Sequence, residues 1–229
     1  MEQTNSLKGT ARLAGLLYLI WILTGIYALV YVHNHTLVEG DAAATVRKIL
    51  ANEFIFRTSV VNDIFSSAVW VLIGLTFYQL FKQVNERQAK LLVAFVIVQV
   101  PVAFFMEVLN LTTLMICKGD LLKSYELSQR QDMAMMFLKI TDNAAIALEM
   151  FWGLWLFPLG LLVYRSGFIP RIFGVFLVLN GIAYVIHFLS HVLLPDYQEL
   201  IFKLATPFWI LGEISIMLWL LIKGVKDTP

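Results

Sequence analysis

Charge is scarce in this sequence. Aspartate, glutamate, lysine and arginine make up 14% of the 229 residues, against about a quarter in an ordinary soluble domain. The formal net charge is +1, so no global field points to nucleic acid or to an acidic substrate. No basic stripe, P-loop, GxGxxG or GxSxG is present, which argues against nucleic-acid binding, nucleotide binding and an esterase elbow. There is one cysteine, Cys117. It cannot close an intramolecular disulfide, and it reads as apolar filler.

Apolar residues fill the space left by charge. They account for 59% of the chain, and mean hydropathy is +0.77. A soluble protein of this length could not hide so much apolar surface, whereas a bilayer dissolves it. Six runs reach the roughly 20 mostly apolar residues that a spanning helix needs. They are 13–32, 60–81, 91–116, 144–164, 172–194 and 204–222. Lipid offers no partner to exposed strand edges, so each run must be a helix. The expected fold is all-α: a single integral-membrane bundle of six transmembrane helices over residues 1–229.

Lys8 and Arg12 ahead of the first run also suit a signal peptide. That run is long for a signal core, and no clear small-x-small site follows it. Two outer loops are long enough to carry short amphipathic segments at the membrane interface. In one, Asp41 can cap a helix through Glu53 with Val46, Ile49, Leu50 and Phe54 on one face. The other is Asp120 to Lys139. The turn from Arg165 to Arg171 is tight: Gly167 suits the left-handed residue that ends one helix, and Pro170 the first turn of the next.

Basic residues divide nine to eight between the two sides. The inner set includes Lys8, Arg12, Arg165, Arg171, Lys223 and Lys226, in short segments flanking the spans, where the positive-inside rule applies best. Both termini are therefore expected in the cytoplasm of a multi-pass cell-membrane protein.

The stretch Phe151-Trp152-Gly153-Leu154-Trp155-Leu156-Phe157-Pro158-Leu159-Gly160, with Tyr164-Arg165-Ser166-Gly167-Phe168-Ile169-Pro170-Arg171-Ile172-Phe173-Gly174-Val175, resembles an uncharacterised bacterial membrane family, domain of unknown function 4386. Ala11 to Tyr18 and Ala51 to Val61 are similar too, so the resemblance covers nearly the whole chain. It implies a multi-span protein of a bacterial inner membrane and supplies no activity and no catalytic residue.

Ionisable residues inside spans cost about 2.5–3.5 kcal/mol each at the bilayer centre and normally face the bundle interior. Asn180, Tyr184, His187 and His191 follow one another at four, three and four residues, one helical face. Asp142, Glu149, Gly153 and Gly160 share a face, as do Gln99, Ala103, Glu107 and Asn110, while Asp63 leads a fourth and Glu213 follows Pro207 in the last run. The candidate pocket is thus Asp63, Glu107, Asn110, Glu149, Tyr184, His187, His191 and Glu213, in the outer half of the bundle.

Polar groups also hold membrane helices together with no further role, at about 0.6 kcal/mol per hydrogen bond. The pocket therefore leaves several readings open. His187, His191 and Glu149 suit a divalent metal, which would make an intramembrane metal-dependent hydrolase. The His187/His191 spacing resembles that of membrane hydrolases related to alkaline ceramidases, although only Asp63 with Ser66 or Ser67 meets their further positions. Buried Glu and His equally suit a proton-coupled carrier or a binder of a small-molecule or lipid-like ligand. A structural or regulatory membrane subunit is the third reading. His33 and His35 fall in an outer loop and read as solvated.

Overall fold

A computed structural model describes residues 2–225; Lys226, counted above among the inner basic residues, lies outside them. All regular structure in the described residues is helical. α1 (Glu2–Ile26) passes through π-helical turns at Tyr27–Val32 into α2 (His33–Thr36). Then come α3 (Ala42–Ala51), α4 (Glu53–Ile97), α5 (Val100–Lys118), α6 (Leu127–Ser166) and α7 (Arg171–Leu193). The chain ends in α8 (Gln198–Trp209), a π-helical segment Ile210–Ile214 and α9 (Ser215–Ile222).

Five continuous stretches among the described residues are long and apolar enough to cross a membrane: Leu7–Thr36, Glu53–Lys118, Leu127–Ser166, Arg171–Leu193 and Pro195–Ile222. Their outward residues include Phe105 and Ile222, both more than half exposed, as a lipid-facing surface requires. The second stretch, 66 residues long, would reach about 100 Å if straight, far beyond a hydrocarbon core of about 30 Å. It bends at Asn85, whose backbone is extended (φ −160°, ψ 102°). The Asn85 side-chain oxygen accepts the Gln88 N–H at 3.0 Å, capping the helix that restarts there. Gly74 and Val96, equidistant from Asn85 in sequence, meet face to face. The two halves of α4 are therefore a helical hairpin.

The helices group into two compact units. The first comprises residues up to Ile20, Val69–Gln99 and everything from Ile146 on. Its centre is aromatic. Trp155 is fully buried, 4.4 Å from the Trp70 ring and 6.1 Å from Tyr18, both edge-on. α6 and α7 pack along a seam of glycines. A Cβ on Gly153 would lie 2.7 Å from the Gly181 carbonyl oxygen, and one on Gly160 would lie 2.8 Å from that of Gly174. Gly153 and Gly160 share a face by their spacing, and Gly181 and Gly174 supply the other side of the seam. Between these helices Gly167 takes φ +73°, the left-handed helix end read from the sequence, and Pro170 stands just before α7 rather than inside its first turn.

The second unit comprises Trp21–Ala68 and Val100–Ala145. Asp41 caps α3 as expected, accepting the Ala44 N–H at 2.8 Å. The apolar face of α3 is not left to lipid, however. Val46 and Ile49 enter a core with Phe56, Leu114, Ile116, Cys117 and Ala134, while Leu50 and Phe54, placed on the same face by the sequence, are exposed. For Phe54 the reason is the break at Asn52 (φ −119°, ψ 35°), which starts a new helix and changes the phase. The segment Asp120 to Lys139 is not a separate amphipathic piece either: α6 begins at Leu127 and runs unbroken through it.

Candidate functional site

In the first unit the polar face of α7 meets three elements. The glycine seam brings α6 near enough for Glu149 to reach across, and its Oε2 lies 2.5 Å from His187 Nδ1. Both residues are buried, at 8% and 6% exposure, so water does not compete for this bond. The aromatic wall comes from α8, where Pro207 and the following π-helical turns set the phase. Trp209 stacks on Tyr184 at 5.1 Å and stands edge-on to His187 at 5.3 Å. Phe202 lies 5.7 Å from His187, and Trp152 packs edge-on to Tyr184.

Glu213, in the π-helical segment, is also buried. Its carboxyl interacts with the Tyr18 hydroxyl from α1. Tyr184 is within electrostatic range of both Glu213 and Glu149. Tyr18, Glu213, Tyr184, Glu149 and His187 thus form a succession of titratable groups through an apolar interior. Asn180 is fully buried nearby, its side chain pressed on the backbone of Gly212, and neither amide atom has a hydrogen-bond partner among the described residues.

The chemistry of the closest pair follows from its geometry. When Nδ1–H donates to the Glu149 carboxylate, Nε2 remains available to take up a further proton. The pair can therefore change its proton content without breaking its own bond.

In the second unit a cavity of about 220 Å³ is lined by His33, Asp63, Glu107, Asn110 and Asp142 among apolar side chains. Asn110 Nδ2 donates to both carboxylate oxygens of Glu107, at 3.1 and 3.3 Å. Asn62 Nδ2 donates to Asp63 Oδ1 at 2.8 Å. Glu107 is buried at 6% exposure.

The eight residues expected in one pocket therefore fall into two groups. Glu149, Tyr184, His187 and Glu213 gather in the first unit, and Asp63, Glu107 and Asn110 line the cavity of the second. His191 joins neither. It sits one turn beyond His187, only half-buried, and its backbone carbonyl accepts from Gln198. Among the described residues no three His, Cys, Asp or Glu side chains gather as a metal ion would need, so the expected set of His187, His191 and Glu149 is not assembled. His33 was read as a solvated loop residue. It is exposed, as that reading has it, but it belongs to a helix and lines the cavity, because α1 continues through its π-helical turns instead of ending near Val32. Sequence reasoning also passed over Tyr18 and Asp142 as site residues; Asp142 carried a signal, sharing a helical face with Glu149.

No curated protein and no solved structure matches the chain. Residues 13–224 match the family described as domain of unknown function DUF4386. The match covers nearly the whole chain, and with its long apolar helices this protein is a membrane member of the DUF4386 family.

Proposed function

We propose that the protein is a small proton-coupled carrier or binder of a small or lipid-like ligand, in which the Glu149–His187 pair takes up and releases the proton. The observation that carries this reading is the buried 2.5 Å contact between an imidazole and a carboxylate. A purely structural bond would be made as well by Gln without the cost of an ionisable group in an apolar interior. The succession from Tyr18 to His187 supports it, since proton relays in membrane proteins are built from such groups. The same reading has six spans, the hairpin at Asn85 supplying two of them, one transmembrane domain, and both termini in the cytoplasm.

Everted membrane vesicles test it. With a respiratory pH gradient followed by a pH-sensitive dye, solutes are added singly from a panel of cations, anions, amino acids and short-chain fatty acids. At least one should collapse the gradient in vesicles carrying the wild type, and Glu149→Gln should abolish that response. No response to any solute, or an equal response in Glu149→Gln, would contradict the proposal.

A further inference from the structure

The cavity of the second unit is electrostatically one-sided. Asp63 comes from α4, Glu107 from α5 and Asp142 from α6, so three separate helices each bring an acidic residue to the lining of one space of about 220 Å³, Glu107 buried and Asp142 at its exposed edge. Among its described lining residues there is no lysine and no arginine. Other acids of the same unit are treated differently: Glu53 is held by both Arg57 and Lys118. Within the cavity the hydrogen-bond donors are amides. Asn110 serves Glu107 and Asn62 serves Asp63, which orients the carboxyl groups without supplying a positive charge. Asp63 and Glu107 are close enough to repel each other. Among the described lining residues His33 alone can carry positive charge, and it faces Asp142.

The remaining walls are apolar, with Met106 and Phe56 among them. A space lined by both carboxyl groups and hydrocarbon matches a cation with an apolar body, whose charge the carboxyls can meet by ionising. A bare metal ion fits less well, because no three His, Cys, Asp or Glu side chains among the described residues converge closely enough to coordinate one. The wall also contains an irregularity: Ala28, Leu29 and Val32 belong to the π-helical turns that follow α1, a feature that recurs at functional sites in helices.

We propose that this cavity is a binding site for a small organic cation, an amine or quaternary ammonium compound, held by Asp63 and Glu107. The site stands apart from the Glu149–His187 reading, since it requires binding and not transport.

The test is calorimetric titration of the purified full chain in lipid nanodiscs. The probes are phenethylamine and tetramethylammonium, with 2-phenylethanol and phenylacetate as neutral and anionic counterparts, and magnesium and calcium chloride as metal controls. At least one of the two organic cations should bind, and the alcohol and the carboxylate should not. Asp63→Asn and Glu107→Gln should each weaken cation binding by at least about tenfold, while Glu53→Gln leaves it unchanged. Equal binding of 2-phenylethanol would mean an apolar pocket and overturn the proposal. So would failure of both organic cations, saturable binding of a metal ion alone, or cation binding that survives both cavity substitutions. If a cavity variant does not fold, the comparison of amine, alcohol and carboxylate on the wild type still decides.

Discussion

Gly153 on α6 and Gly181 on α7 lie against each other's backbone: a Cβ on the first would stand 2.7 Å from the carbonyl oxygen of the second, and a Cβ on the second 2.9 Å from that of the first. Gly160 and Gly174 repeat the relationship one heptad away. Close approach of this kind is how membrane helices gain packing contacts where no hydrophobic force drives them together. It also sets the distance across which Glu149 reaches His187.

Gly153→Ala and Gly181→Ala should each destabilise the protein by about 1–3 kcal/mol, the range for overpacking a tight interior contact. Gly25→Ala is the control, because a Cβ there meets nothing within 4 Å and alanine is the better helix former by about 0.5–1 kcal/mol. Thermal unfolding in detergent should place the two seam variants below the wild type and Gly25→Ala at or above it.

Gly167 has open space around it, so its requirement is one of backbone alone. Its φ of +73° costs a residue with a side chain about 1–2 kcal/mol. Gly167→Ala should lower the melting temperature while Gly167→Asn, which tolerates the left-handed region better, falls between the two. An alanine variant as stable as wild type would place the helix end elsewhere.

Asn85 caps the returning arm of the α4 hairpin through its bond to Gln88. Asn85→Ala should cost about 1 kcal/mol, and Asn85→Asp or Asn85→Ser much less. Chemical or thermal unfolding of the three variants checks the order.

Glu53 joins the start of α4 to the end of α5. Lys118 Nζ donates to its Oε1 at 3.0 Å, and Arg57 Nε does so at 2.8 Å. These hydrogen bonds, that of Lys118 first, hold the carboxyl below its ordinary value of 4.5. A depressed carboxyl stabilises the fold above its unfolded value and loses that contribution as pH falls through the folded one. Wild type and Glu53→Gln should therefore differ in melting temperature near neutrality and converge below about pH 4. The difference is small because the group is exposed.

Much of this arrangement is legible in the residues. Apolar length marks the helices, Gly167 marks a helix end, and the four-three spacing puts Asn180, Tyr184 and His187 on one inward face. Glu149 and His187 could be paired as neighbours because each is too costly to bury alone. What the sequence conceals is phase and continuity. Nothing in Tyr27 to Thr36 breaks a helix, so the π-helical turns that carry His33 to the cavity leave no mark. The restart at Asn52 rotates Phe54 off the face it shares with Ile49 by periodicity. His191 keeps the helical spacing, yet Glu149, the carboxylate that α6 presents to α7, meets that face one turn earlier, at His187. The seam shows only as Gly153 and Gly160 on one side; that Gly174 and Gly181 answer them depends on the antiparallel register, which spacing alone does not fix.

The Glu149–His187 pair is the centre of this account, and Trp209, edge-on to the imidazole at 5.3 Å, is a built-in reporter, since an imidazolium quenches a neighbouring indole. The decisive measurement is a titration of tryptophan emission between about pH 5 and 8, the range in which histidine changes charge. A titrating pair predicts a reversible step in the wild type. That step should vanish in His187→Gln and in Trp209→Phe, and its midpoint should move in Glu149→Gln. Emission that is flat in the wild type, or that follows the same curve in all four proteins, would contradict proton exchange at this pair.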